Sequence, residues 1–115
     1  FLILKTLAGN MSSEYGAEAA YLLIQDSYDK GDFEDVETKV YAFSDSGTGQ
    51  TYWLAKSFIV LGDSFADRGE FTQAKATFES VRDGYTPADD SDDVLDNVRM
   101  RLAKLEEMIV EKNNQ

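Results

Sequence analysis

The chain has 115 residues, 22 acidic side chains against 11 basic ones, no His, no Cys and one Pro. That composition removes zinc-finger sites, disulfide frameworks, cysteine nucleophiles, haem histidine ligands and Ser-His-Asp triads from consideration. A net charge of −11 argues against nucleic acid and anionic membrane as partners, since both are held by clusters of Lys and Arg. The 43% apolar content suits one packed domain.

The chain opens Phe1-Leu2-Ile3-Leu4-Lys5-Thr6-Leu7-Ala8-Gly9-Asn10. Lys5 interrupts the apolar run and no charged region precedes it, so a signal peptide is a poor reading. Nor does any stretch reach the roughly 20 apolar residues of a membrane span. Residues 1–9 read better as the last turns of a helix that Gly9-Asn10 stops, which makes the chain a piece of a longer protein. The compartment, cytoplasm or cell envelope, is therefore left open.

Beyond that segment the apolar spacing predicts helices over Ser13–Lys30, Asp32–Ser44, Thr51–Arg68, Glu70–Gly84 and Ser91–Lys112. The first four form an internal repeat. Ala20–Phe33 (AYLLIQDSYDKGDF) aligns with Phe58–Phe71 (FIVLGDSFADRGEF), matching Leu23 with Leu61, Asp29 with Asp67, Lys30 with Arg68, Gly31 with Gly69, and Phe33 with Phe71, 38 residues apart. Each unit reads as one helix, a tight Lys/Arg-Gly-Asp/Glu turn and a second antiparallel helix. Gly is needed at the turn because the stop uses a left-handed backbone conformation that costs other residues. Val36, Val40 and Phe43 should face inward in the first unit, and Ala74, Phe78 and Val81 in the second. The final helix carries an apolar stripe of Val94, Leu95, Val98, Leu102, Leu105, Met108 and Ile109, with charges on its other face.

On these residues the chain resembles the tetratricopeptide repeat (TPR) family, whose pattern runs W-x2-L-G-x2-Y, then A-x3-F, then P over about 34 residues. The second unit supplies Phe58-x2-Leu61-Gly62-x2-Phe65, then Ala74-x3-Phe78, with Pro87 following. Gly62 and Ala74 are small where two helices cross, and the aromatics fill the space beside them. The first unit is degenerate: Ala20-x2-Leu23-Ile24-x2-Ser27, then Val36-x3-Val40. The four residues of period beyond the family's length fall in the polar loop Ser44–Thr51, which lacks the Gly-Lys-Ser/Thr of a phosphate loop. Tyr52-Trp53-Leu54-Ala55-Lys56-Ser57-Phe58 and the Asp-rich run before Arg101-Leu102 also look like the terminal unit of large bacterial multi-repeat proteins.

The resemblance implies an all-α solenoid of antiparallel helix pairs over residues 13–44 and 51–85, closed by a capping helix over 91–112. It also implies that the first helix of each pair lines a concave groove. The groove positions would then be Glu18, Tyr21, Gln25, Tyr28 and Asp29, followed by Lys56, Ile59, Asp63, Ala66 and Asp67. Tyr21, Gln25 and Tyr28 share one helical stripe by spacing alone. The two tyrosines either face the groove or pack on a preceding helix. A mixed acidic and aromatic lining suits a protein or peptide partner with basic and apolar side chains. The Lys/Asn/Arg carboxylate clamp of chaperone-binding TPRs is missing, since Lys56 is the single base among these positions. Tyr52 and Trp53 should wedge the two pairs together.

Nothing in the pattern points to catalysis, a metal or a cofactor. Asp89-Asp90-Ser91-Asp92-Asp93 lacks the central Gly and closing Glu of a calcium loop, and reads as a helix start with Ser91 as cap. No motif picks a carboxylate pair from the 22 acids for glycoside chemistry. The expected function is a non-catalytic protein-interaction module. The alternative is an end-piece of a longer solenoid, or a unit that self-associates through the N-terminal helix face.

Overall fold

The structure, a computed structural model, describes residues 14–114. Five helices make up its regular structure: α1 Glu14–Asp29, α2 Phe33–Asp45, α3 Thr51–Asp67, α4 Phe71–Gly84 and α5 Val94–Asn113. There is no strand among the described residues. Each helix lies within one to three residues of its expected bounds. The start expected at Ser13 and the helix expected over Phe1–Leu7 lie outside the described residues.

The turns after α1 and α3 are built identically. Gly31 has φ 74° and Gly69 φ 76°. In the first turn the Asp32 N–H donates to the Ser27 carbonyl and the Gly31 N–H to the Tyr28 carbonyl. In the second, Glu70 N–H donates to Phe65 and Gly69 N–H to Ala66. This double bond pattern satisfies carbonyls that the helix end would otherwise leave unpaired. Asp32 then caps α2, its carboxylate accepting from the Asp35 N–H at 3.2 Å.

Packing is between neighbours. α1 touches α2 and α3, α2 touches α3, α3 touches α4 and α5, and α4 touches α5. α3 is thus enclosed by all four others. It buries Ala55, Ile59, Val60, Leu61, Gly62 and Phe65, residues from every side of the helix. The outer helices bury a single stripe each, such as Val36, Val40 and Phe43 of α2.

Gly62 shows why the second pair needs its small residue. A Cβ there would stand 2.4 Å from Phe78 Cε1. The first pair solves the same crossing with Ile24 and Val40, one repeat earlier, both fully buried. One pair therefore combines small with large, the other medium with medium, and both fill the interface. At Gly31 and Gly69 nothing lies within 4 Å of an added Cβ, so the constraint there is backbone conformation alone.

The C-terminal helix corrects one expectation. Ser91 does not cap it: both its N–H and its Oγ donate to Asp89 Oδ1, at 2.8 and 2.5 Å. The N-cap is Asp93, whose side chain makes no capping bond, and the preceding Asp92 accepts from the Val94 N–H at 3.0 Å, the Ala88 N–H at 3.1 Å and the Tyr85 hydroxyl. Helix formation waits until these bonds have turned the chain, so α5 begins three residues later than expected.

Two glycine substitutions separate the two constraints. Gly62→Ala should cost about 1–3 kcal/mol through overpacking against Phe78. Gly69→Ala should cost about 1–2 kcal/mol through its left-handed backbone, and Gly69→Asn less, because Asn tolerates that region. Urea unfolding of the three variants beside wild type checks the order.

Candidate functional site

The first helix of each pair carries the expected site residues, and the structure gathers five of them. Tyr21 and Gln25 of α1 and Lys56, Ile59 and Asp63 of α3 line one cavity of about 230 Å3. Its remaining walls are Val60 and, from the C-terminal helix, Asp93, Val94, Asn97 and Arg101. Ile59, Val60 and Val94 are buried and make an apolar floor, while the polar side chains form the rim.

The C-terminal contributors were missed by sequence reasoning, which treated α5 as a cover. A signal for them was nevertheless present. Tyr21, Ile59 and Asn97 are spaced by 38 residues, and so are Gln25, Asp63 and Arg101. α5 thus stands where the first helix of a third unit would stand. The positions that in α3 receive α4 are Phe58, Leu61, Gly62 and Phe65. Their counterparts in α5 are Asp96, Arg99, Met100 and Ala103, all exposed.

Polar contacts across the groove tie the three helices together. Arg101 Nε donates to both Asp63 oxygens, at 2.9 and 3.1 Å, and its Nη1 donates to Asn97 Oδ1 at 3.2 Å. The Tyr28 hydroxyl donates to Asp67 Oδ2 at 2.5 Å. Gln25 accepts from the Tyr21 hydroxyl at 3.4 Å and donates to Asp29 at 2.9 Å. Burial pushes the Asp63 carboxyl above the ordinary Asp range, and the Arg101 guanidinium pulls it part of the way back. Burial and the bond to Asp67 push the Tyr28 phenol well above its ordinary value, so it stays a neutral donor.

Tyr21 turns toward Trp53 of the next pair, whereas the Tyr28 ring lies against Phe33 of its own pair and only its hydroxyl reaches the next pair, at Asp67. The Tyr21 ring lies 5.5 Å from the Trp53 ring and Tyr28 lies 5.9 Å from Phe33. Both are half-buried, and Trp53 does wedge α3 against α1. Lys56 places its ammonium 5.5 Å from the Tyr21 ring centre and 5.4 Å from that of Tyr52. Glu18, Tyr28, Asp29, Ala66 and Asp67 do not line the cavity. Tyr28, Asp29, Ala66 and Asp67 lie at the turn ends of their helices.

Of the residues expected to pack the repeat, Leu23, Leu61, Gly62, Phe65, Ala74 and Phe78 are buried, Phe58 packs half-buried on the core, and Gly31 lies in the turn with positive φ. At the position of Phe65 the first pair has Ser27, which is buried and needs polar partners. It donates to Asp35 Oδ2 at 2.7 Å and accepts from Lys39 Nζ at 2.8 Å. This Ser-Lys-Asp group lines none of the described pockets, and it serves to join α1 to α2. A second cavity of about 230 Å3, between Leu54, Phe58, Val81 and Tyr85, is apolar; Val81 stands at the position that holds Phe43 in the first pair. Among the described residues no group of three or more His, Cys, Asp or Glu is arranged to hold a metal ion, and no helix is long and apolar enough to cross a membrane.

Comparison of the chain with protein families, with curated proteins and with solved structures finds no match.

The Ser27–Asp35–Lys39 group gives an acid-dependent contribution to stability. Hydrogen bonds from Lys39 and Ser27 hold the Asp35 carboxyl below its ordinary value. A lowered native value means the contribution is complete above the unfolded value of about 4 and is lost as pH falls through the native one. Asp35→Asn should therefore be less stable at neutral pH and show a shallower loss in acid, measured by thermal unfolding across the acid range.

Proposed function

We propose that this chain is a TPR-like array of helix pairs whose concave side binds a segment of a protein partner, without catalysis. The observation that carries the reading is the convergence of residues spaced by 38 from three alternate helices, α1, α3 and α5, on one cavity. Tyr21, Ile59 and Asn97 form one row, and Gln25, Asp63 and Arg101 the next. Neighbour-only packing supports a solenoid, because each pair buries its apolar face against the pair beside it. The identical Gly31 and Gly69 turns support a true repeat.

The lining is apolar below and polar above; its carboxylates Asp63 and Asp93 are matched by the bases Lys56 and Arg101, and the exposed Asp29 and Asp67 at the turn ends of α1 and α3 tip the balance of this side to acid. An extended or helical segment with apolar side chains for Ile59, Val60 and Val94 and basic ones for the rim fits that chemistry. Affinity would come from a few anchors rather than from area, since the cavity takes one or two side chains.

A second reading is favoured by a separate observation. Asp96, Arg99, Met100 and Ala103 replace the apolar face that would receive a second helix in a third unit. On that ground α5 ends the array, and the chain serves as the terminal piece of a longer solenoid. The two roles are compatible, because the closing helix also forms one wall of the cavity.

Site-specific photocrosslinking tests the first reading. A photoreactive residue at Ile59 should trap a discrete partner that the same residue at exposed Tyr41 does not trap, and Tyr21→Ala/Asp63→Lys should abolish it. Equal labelling from both positions, or trapping that survives the groove substitutions, would overturn the reading.

A further inference from the structure

The groove reading leaves open which of its carboxylates a partner meets, and the structure separates them. Asp63 is the half-buried one, and Arg101 occupies it through both oxygens. Asp29 and Asp67 are exposed, stand at equivalent repeat positions and are the last helical residues before the two glycine turns. Among the described residues neither is within ion-pair distance of a Lys or Arg; Asp29 accepts from Gln25 and Asp67 from Tyr28.

Resting on the groove reading, we infer that Arg101 determines the specificity of this groove. By holding Asp63 it takes the central carboxylate out of recognition, and it sends a partner's cationic side chain to Asp67 and Asp29 at the turn end. The same guanidinium is kept from attracting an acidic partner, because Asp63 and Asn97 engage it. A charge pair satisfied within the chain carries no net charge, so its pull on a ligand's charge falls off more steeply with distance than that of a lone carboxylate. What remains for recognition is the apolar floor in the middle with Lys56 and Asp93, opposite in sign, at its rim, and unbalanced acid at the Asp29 and Asp67 end. The partner is then a segment with an apolar anchor followed by Arg or Lys, and its direction along the groove is set.

The position of Arg101 in the repeat supports this role. Gln25, Asp63 and Arg101 are the same site in successive units, and they change from neutral to acidic to basic. The pair forms between neighbouring units, where it cancels charge across the cavity instead of within one helix.

The test uses fluorescence anisotropy with two labelled peptides, one repeating Arg-Leu-Ala and the other Glu-Leu-Ala, against the folded chain and its variants. Wild type should bind the Arg peptide and not the Glu peptide, and Asp67→Asn should weaken binding severalfold. Arg101→Met, which frees Asp63, should tighten Arg-peptide binding by roughly fivefold, the worth of one added half-exposed ion pair. Asp63→Asn/Arg101→Met should return to the wild-type value. Asp63→Asn alone, which frees the guanidinium, should weaken the Arg peptide and admit the Glu peptide, so the assignment remains testable should Arg101→Met misfold. If wild type binds the Arg peptide through Asp67 but neither Arg101→Met nor Asp63→Asn alters the charge preference, the role of Arg101 falls and the groove stands. If no helical variant binds either peptide, the groove reading falls and takes this assignment with it.

Discussion

The rest of this structure depends on the enclosure of α3. A single helix pair of this size cannot bury both of its apolar faces, and hydrophobic burial is the main favourable contribution to folding. α3 solves the problem by packing on α1 and α2 at one side and on α4 and α5 at the other. Its sequence reflects that duty, with buried residues from Ala55 to Phe65 distributed around the helix. The Gly62–Phe78 crossing sets how closely α4 approaches, and the Tyr21–Trp53 contact sets how α1 meets α3. Each fully buried Phe, such as Phe43 or Phe78, contributes about 1.5–3 kcal/mol of transfer free energy.

The polar side of the stack follows from the same geometry. Once α1, α3 and α5 stand side by side, their exposed stripes face one another across a shallow groove. Carboxylates brought together there must be screened, hydrogen-bonded or paired. Arg101 pairs Asp63, the Tyr28 hydroxyl bonds Asp67, and Gln25 bonds Asp29. These bonds run mainly between side chains of different helices, so they also fix the rotation of one unit against the next. The result is a surface whose side chains are held in place by their mutual bonds; under the proposed groove reading, that order lowers the cost of binding a flexible segment. Its surface combines an apolar floor, aromatic edges and charges already bonded in place.

Much of this was legible in the residues themselves. The Lys/Arg-Gly-Asp/Glu turns and the 38-residue offset locate two helix pairs, and the observed ends differ by a few residues at most. Tyr21, Gln25, Lys56, Ile59 and Asp63 were predicted as groove residues and do line one cavity. Ser91 misled because a serine before an apolar run is a common cap, whereas here it folds back on Asp89, the helix starts after Asp93, and Asp92 bonds its first N–H. Asn97 and Arg101 escaped notice because α5 lacks the Leu-Gly and turn residues that mark a repeat, although its spacing keeps the period.

The sequence by itself determined the helices, their order, the two left-handed turns and the stripes that must be buried. Those properties are local: they depend on residues a few positions apart and on backbone conformation that Gly alone adopts cheaply. Only the tertiary structure decided which side chains meet across helices. Arg101 reaches Asp63 from 38 positions away, Tyr28 reaches Asp67 from 39, and α5 forms a wall of the cavity. Such pairings depend on the rotation and spacing of whole helices, which the packing of Gly62, Phe78, Tyr21 and Trp53 sets and no local pattern encodes.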